Sequence, residues 1–599
     1  MNLLNKNLLK VTAIFITVFV VIMACTSNQP DETSGQAEDT PDKIFLPIKS
    51  QKDASADGDE TWAAIPKGLQ VSFTSTDIRL TKGKIPSLES KSSWQGTGWR
   101  GERIAGQIVL WANEEVSAIS IEPGVLRADG GKEIAVDRMK ASFIDFVLTD
   151  EFGNGCEKRK PADFDSSLVA DIIDHYATEI TLEKNSVRPV WFSVDIPADQ
   201  AAGTYTGAVI VQAGEEKVEL SVSVKVIDRV LPPVDQWKFH LDLWQNPFSI
   251  ARVYGVELWS EEHFEIMRPH LELLANAGQK CITTTIIEKP WNGQTFDPLQ
   301  SMVRWTLHKD STWSYDYTLF DRWVEFAMSC GITEQINCYT MIPWHLKFEY
   351  FDEVSASVKA VNAEPGSTEY NSHWTGMLNN FTDHLKEKGW FEKTTISMDE
   401  RPAEAMRSTI ALLREAAPGL KVTLAGGYHP EIEADLFDYC IASEHHYPKE
   451  ILSARNSGEK FSTFYTCCVE NYPNTFTFSP PAESTWLGWY AAAEGFGGYL
   501  RWAYNSWVKD PLQDSRYRAW PAGDTYLVYP GARTSIRFER LREGIQDFEK
   551  IRILKSEWAG DASKLASLEE LLASFTIDKL ETVPAAEMVN RGKELLNRN

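Results

Sequence analysis

Asp399 and Glu400 stand side by side in TTISMDERPAEAM (Thr394 to Met406), after a β-branched run and just before a proline and a helix-like pattern. Neighbouring carboxylates resist ionising together, so at neutral pH one tends to keep its proton while the other stays anionic. Glycoside hydrolysis uses that division: a carboxylic acid protonates the leaving oxygen and a carboxylate steadies the cationic sugar. Carboxyl groups about 5–5.5 Å apart suit retention through an enzyme nucleophile, and about 6.5–9.5 Å suits inversion. Both usually take their acids from separated positions. Adjacent acids fit better the substrate-assisted variant, in which the sugar's own 2-acetamido oxygen attacks the anomeric carbon. The same dipeptide recurs at Asp31-Glu32, Asp59-Glu60, Asp150-Glu151 and Asp352-Glu353. Chemistry therefore depends on where in the fold the pair falls.

Two rhythms divide the chain. From about Phe45 to Leu231 short alternating runs such as QIVLWA, RPVWFSVDIP and KVELSVSVKVID predict antiparallel strands and a β-sandwich over 46–232. After Pro233 strand and helix patterns alternate, with strand runs at 238–244, 280–287, 334–342, 394–400, 421–427, 438–443, 460–467 and 497–504. Eight strands, most followed by a helix, predict a (β/α)8 TIM-type barrel over 233–534, with a C-terminal helical segment over 535–599. In a barrel the C-terminal strand ends face the reaction space. Asp399 and Glu400 close the fourth strand, and they are the one Asp-Glu pair at such a position. Side chains alternate within a strand, but where the chain leaves the pleat both can turn to the mouth. Pro402 marks that exit.

Other residues near the mouth can bind a sugar. Trp244, Trp291, Trp344, Trp486, Trp489, Trp502 and Trp507 lie at or after barrel strands, or on the helix before the eighth. Indoles stack on the C–H faces of sugars, and Trp502 and Trp244 are the leading candidates. Tyr465, near the end of the seventh strand, is placed to hydrogen-bond an acetamide. His445, at the sixth strand's end, and Asp242 and Asn505 are candidates for sugar hydroxyls, with core packing or capping as their ordinary alternatives. No metal site is expected, because no third ligand is marked beside His445 and His446. Gly96 to Gly101 matches the G-x-G-x-x-G pattern but lies among antiparallel strands with no crossover helix, and is assigned to a loop.

Bulk properties set limits. The chain has 599 residues, 43% of them hydrophobic, and a formal net charge of −25, which argues against a nucleic-acid binder. Lys6 and Lys10 precede an apolar run from Val11 to Ala24, shorter than the roughly 20 residues of a spanning helix. That run ends at Cys25, and Ile22-Met23-Ala24-Cys25 resembles the lipobox of bacterial lipoproteins. Residues 1–25 are thus expected to be a lipoprotein-type signal peptide with lipidation at Cys25, and 26–45 a polar tether. An exported, periplasmic or cell-surface lipoprotein follows, held to the membrane by lipid. The remaining cysteines, from Cys156 to Cys468, read as small buried hydrophobes; a disulfide is open in an oxidising compartment, but the sequence names no partners.

Asp399-Glu400 in its strand-end context, with LWQNPF (Leu243 to Phe248), resembles glycoside hydrolase family 123. SIRFERLREGIQDFE (Ser535 to Glu549), GWRGER (Gly98 to Arg103) and PVWFSVDIPADQAAGTYTG (Pro189 to Gly207) are similar to a larger family that includes those enzymes. The resemblance implies an exo-acting, retaining β-N-acetylgalactosaminidase that needs no cofactor. Asp399 would polarise the acetamide and Glu400 would be the general acid/base. The implied substrates are glycans or glycolipids with terminal β-GalNAc. Two other readings share the fold: a surface glycan-binding lipoprotein with a silent barrel, and a glycosidase for another sugar.

Overall fold

The computed structural model describes residues 43–150, 156 and 166–598. The signal segment, Cys25 and most of the tether lie outside the described residues. Among those described, no helix is long and apolar enough to cross a membrane.

The first domain is the expected sandwich. One sheet runs, edge to edge, through Gln70–Thr74, Arg103–Ala112, Ser186–Asp195, Met139–Thr149, Ser167–Asp174 and the two-residue strand Thr534–Ser535. The facing sheet carries Ser93–Arg100, Glu216–Val230, Gly203–Ala213, Val116–Pro123 and Glu179–Leu182 in order. Alternation explains the packing: Val222, Val224 and Val226 point inward to meet Ile108, Leu110 and Phe192. Pairing is antiparallel except between Ser93–Arg100 and Glu216–Val230, which run parallel. The glycine-rich stretch at Gly96 is strand rather than loop up to Arg100. Its glycines are there for packing: a Cβ on Gly96 would lie 2.3 Å from the Trp94 ring.

The second domain is an eight-stranded parallel barrel. Its strands are β1 (His240–Leu243), β2 (Cys281–Thr285), β3 (Gln335–Tyr339), β4 (Thr394–Met398), β5 (Lys421–Gly426), β6 (Asp438–Ala442), β7 (Phe461–Tyr465) and β8 (Gly498–Arg501). All eight match the strand runs in the sequence. Backbone ladders connect β1 to β8 and so on round to β2. The seam between β1 and β2 closes differently. Beyond one backbone bond from Lys280 N–H to the Leu241 carbonyl (2.9 Å), side-chain amides bridge the strands. The Leu243 N–H donates to Gln279 Oε1 at 2.9 Å, and Gln279 Nε2 donates to the Cys281 carbonyl at 2.7 Å. Gln245 Oε1 accepts from the Thr283 N–H at 2.9 Å. A glutamine carries the donor and acceptor of a peptide unit, so it can stand in for a rung of the ladder.

Helices follow the strands except at β5, which is followed only by the 3₁₀ turn Glu433–Asp435. The helix after β8, Ile536–Glu557, lies along Pro481–Glu494 and also pins the sandwich to the barrel. Its Arg537 pairs with Asp171 at 2.9 Å, Arg540 with Asp77 at 2.7 Å and Lys550 with Glu102 at 2.5 Å. Glu549 accepts the N–H groups of Lys238 and Phe239 just ahead of β1. The charged SIRFERLREGIQDFE segment is thus a buried rivet. Residues from Lys43 onward form one compact unit, so the changes of architecture near 232 and 534 do not separate bodies.

Two hairpins grow from the loops after β2 and β3: Arg304–Leu307 with Trp313–Asp316, and Lys347–Asp352 with Ser357–Asn362. They join through Thr306 and Leu307 into a four-stranded sheet. This sheet packs on the helix Thr368–Glu387, with Trp305 stacked on His373 (centroids 4.7 Å, 13°) and Phe348 against Tyr370. It fixes the two loop segments, around Trp291 and Trp344, that overhang the end of β4.

Candidate active site

At the C-terminal end of the barrel a cavity of about 270 Å³ opens to solvent, near the lower end of the roughly 300–1,000 Å³ of ligand pockets. Asp399 and Glu400 both line it. Asp399 continues the inward face of β4, two residues beyond Ser397. Its Oδ2 accepts two indole N–H groups, from Trp291 at 2.9 Å and Trp344 at 3.0 Å. Glu400 lies just past the pleat, beside Gly426 of β5, where an added Cβ would stand in ordinary contact at 3.6 Å from its Cα. Its Oε1 accepts the Tyr465 hydroxyl from the end of β7.

These contacts divide the acids. Burial pushes the Asp399 carboxyl up, while the Trp344 and Trp291 indoles, the Glu400 backbone N–H and Arg401 pull it down. Burial also raises Glu400, and the charge of Asp399 raises it further. The Tyr465 hydroxyl works against that, and Glu444 and Glu470 add to it. Three N–H donors converge on one acid and a ring of carboxylates surrounds the other. Both carboxyls are left above their ordinary range, but the N–H donors favour the anion at Asp399 while the neighbouring carboxylates favour the protonated form at Glu400.

The walls are aromatic. Trp244 lies on the floor, stacked on Trp291 (4.8 Å, 28°) and tilted against Tyr339. Trp502 meets Trp520 edge to face at 5.7 Å. The rest of the lining includes Gln294, Glu444, His445 and the disulfide Cys156–Cys468, whose cysteines are 312 residues apart in sequence. Apolar faces with convergent carboxylates make a site for a ring that is apolar on its faces and polar at its edge.

The sequence signature described as "Glycoside hydrolase 123, catalytic domain" matches residues 244–554, more than half of the chain, and "Glycoside hydrolase 123 N-terminal domain" matches 73–213. The chain belongs to glycoside hydrolase family 123. A family 123 glycoside hydrolase from Clostridium perfringens, solved in a study of glycolipid glycan hydrolysis, shares its fold. The two are 26% identical with a TM-score of 0.80, over 88% of this chain and 99% of that one. An Ig-like-domain-containing GH10 xylanase from termite gut (11% identity, TM-score 0.29, 60% of this chain and 90% of that one) is too distant to carry argument. So is a GH20 exo-β-N-acetylglucosaminidase from Vibrio harveyi (9%, 0.20, 66% and 81%). A comparison with curated proteins gives no match.

In this family 123 hydrolase the cavity gathers Asp399, Glu400, Trp244, Trp502, Tyr465 and His445. It does not include Asp242 or Asn505. Asp242 points into the barrel one layer below the floor, where its Oδ2 accepts from Asn337 Nδ2 at 3.0 Å. Asn505 exchanges two 2.9 Å hydrogen bonds with the backbone of Asn246, tying the end of β8 to the loop after β1. Asn505 is occupied by the scaffold, and Asp242 is buried beneath the cavity lining. Trp486, Trp489 and Trp507 are core residues; Trp486 and Trp489 pack against the C-terminal helices. Sequence reasoning did not single out Trp291 and Trp344 as the grip on Asp399, nor Trp520 and the disulfide. Position after β2 and β3 was the one available sign for the two indoles. Nothing in the spacing could join Cys156 to Cys468.

Proposed function

We propose that this family 123 hydrolase removes terminal β-N-acetylgalactosamine from glycans or glycolipid head groups, exo-acting and with retention, by acetamide assistance. The reading is supported above all by Asp399, an acid held by two indoles beside a second, carboxylate-surrounded acid in a hollow sized for one sugar. The solved relative's concern with glycolipid glycans points the same way.

In the first step Asp399 accepts the acetamide N–H and the acetamide oxygen attacks the anomeric carbon. The bond to the leaving oxygen breaks as Glu400 gives that oxygen its proton. The product is a cationic oxazolinium paired with the Asp399 carboxylate. In the second step Glu400, now a base, takes a proton from water; the water oxygen bonds to the anomeric carbon from the vacated face and the acetamide bond opens. Two inversions give net retention. Tyr465 holds Glu400 at its proton-transfer position, and the indoles of Trp244 and Trp502 carry the sugar's faces.

Aryl β-GalNAc, β-GlcNAc and β-galactoside separate the readings. Release from GalNAc is expected, with a β-configured first product by NMR. Release from the galactoside would exclude acetamide assistance, and release from none would favour a glycan binder. Asp399→Asn is expected to lose at least about 100-fold in kcat on aryl GalNAc, since it removes stabilisation of charge developing in the transition state. Glu400→Gln should lose most on natural glycosides and less on activated ones. Export and lipid attachment at Cys25 belong to the same proposal; a Cys25→Ser chain should carry no acyl label.

A further inference from the structure

Large apolar side chains that stand exposed are few: Phe45, Ile78, Val136 and Val230 lie outside the barrel domain, and the others, with the two most exposed of all, lie within it. Among the described residues these include Val354 (72% exposed), Val358 (65%), Val469 (46%), Phe296 (41%) and Trp344 (39%). All five lie on loops that follow barrel strands, hence on the mouth side: Phe296 after β2, Trp344, Val354 and Val358 after β3, and Val469 after β7.

The hairpin Lys347–Asn362 also projects in that direction. The helix Thr368–Glu387 follows β3, so its N-terminus is at the mouth side. The inserted sheet runs along it, with Tyr317 stacked on His384 near the far end and Phe348 against Tyr370 near the first turn. The strand continues four residues beyond Phe348 before its turn, about 13 Å at ~3.3 Å per residue. Val354 sits in that turn, and Val358 is paired with Phe351 on the outer strand of the sheet. Single exposed hydrophobes are ordinary; a set of them on one face, around one opening, marks an interaction surface.

We propose that this rim docks on a zwitterionic lipid surface, with the Val354–Val358 tip entering the headgroup layer, so that the cavity meets glycolipid head groups in place. The substrate part of this inference rests on the function proposed above. Charge selects the kind of surface. Beside the tip Lys359 pairs with Asp352 and His308 with Glu353 at 2.9 Å, and Lys309 is followed directly by Asp310, so acids offset the cations that would draw anionic lipid. The chain's formal charge of −25 opposes an anionic bilayer as well. Attraction is left to apolar contact, which a phosphatidylcholine surface offers without electrostatic cost.

The test uses the full chain carrying Val354→Asp and Val358→Asp, both at exposed positions outside the catalytic cavity. On a β-GalNAc glycolipid in phosphatidylcholine vesicles kcat/KM should fall at least tenfold, with no change on soluble aryl β-GalNAc. Equal effects on the two substrates, or none on either, would overturn docking. Should neither chain cleave GalNAc, the function reading fails but docking is still decided by a probe. An environment-sensitive fluorophore on Val354→Cys should shift to the blue with phosphatidylcholine vesicles, while the same label on Val136→Cys, on the sandwich, should not. Equal responses from the two labels, or a larger response to anionic vesicles, would exclude the proposed mode.

Discussion

A carboxylic acid can protonate a departing oxygen only while it holds its proton, and Glu400 is pulled both ways. Burial raises its pKa, Asp399 adds to that, and the Tyr465 hydroxyl opposes them by bonding the anionic form. Removing the hydroxyl therefore has a definite sign. In Tyr465→Phe the Glu400 pKa moves further up, so the basic limb of the kcat/KM profile moves to higher pH. The plateau should also drop by about tenfold, because a hydrogen bond to a charged group contributes about 1.5–3 kcal/mol and only part of it is lost at the transition state. A glycoside with a poor leaving group is the right substrate, since its turnover needs the proton. A limb that stays in place, or moves to lower pH, would remove Tyr465 from the acid's environment.

Elements hold these residues, and some joints between elements tolerate no added atom. Gly488, mid-helix in Pro481–Glu494, faces Gly544 in Ile536–Glu557. On an isolated helix Gly→Ala is favourable by about 1 kcal/mol. Here the new Cβ would lie 2.1 Å from the Gly544 carbonyl oxygen, and a Cβ on Gly544 would lie 2.4 Å from that of Thr485. Backbone on both sides leaves neither helix a cheap retreat. Overpacking, at about 1–3 kcal/mol, outweighs the propensity gain, so Gly488→Ala should lower the denaturant midpoint; a rise would mean the helices part easily. The sequence discloses such elements unequally. The eight barrel strands were legible because each is a short, mostly buried run set in a repeating rhythm of strand and helix patterns. The acid pair was legible because it ends one of them. Depth within the barrel was not: β1 turns His240, Asp242 and Trp244 to the same interior, and a period of two cannot tell which of them reaches the mouth. The grip on Asp399 was hidden for another reason. It comes from two indoles on separate insertions, brought together by a sheet whose hairpins pair Thr306 with Phe351 and Leu307 with Asp352, far apart in the chain.

Across the whole molecule the oddest feature is what fills the barrel. Layers of branched apolar side chains are the usual filling, yet under this active site lie His240, Asp242, Gln335, Asn337, Thr395 and Asp438. Asn337 Oδ1 accepts from Gln335 at 2.8 Å and from Thr395 at 2.9 Å, while its Nδ2 donates to Asp242. His240 faces Asp438 at 3.6 Å. Within this cluster Asp242 is driven up to about 7, by burial first and the nearby Asp438 charge as well, against the pull of His240 and the Asn337 amide. An unfolded aspartate titrates near 3.9. Between about pH 4 and 7 the native chain therefore binds a proton at Asp242 that the unfolded chain has released. Stability contributed by this residue accordingly falls as pH rises through that window, and the full penalty remains above it. Asp242→Asn keeps an oxygen for Asn337 to bond but cannot ionise. At pH 8 it should be more stable than the parent by about 1–3 kcal/mol. Three pKa units would give about 4 kcal/mol, but the new amide N–H groups must find partners among the same buried side chains. Near pH 4.5, where the native Asp242 keeps its proton, that advantage should be gone and the variant no more stable than the parent. Urea titrations at both values measure the difference. If parent and variant keep the same gap at both pH values, Asp242 is not the group through which the barrel interior senses pH. Catalysis supplies a second readout, since Asp242 lies below the cavity floor and not in it: the variant should leave the shape of the Glu400-dependent rate profile unchanged.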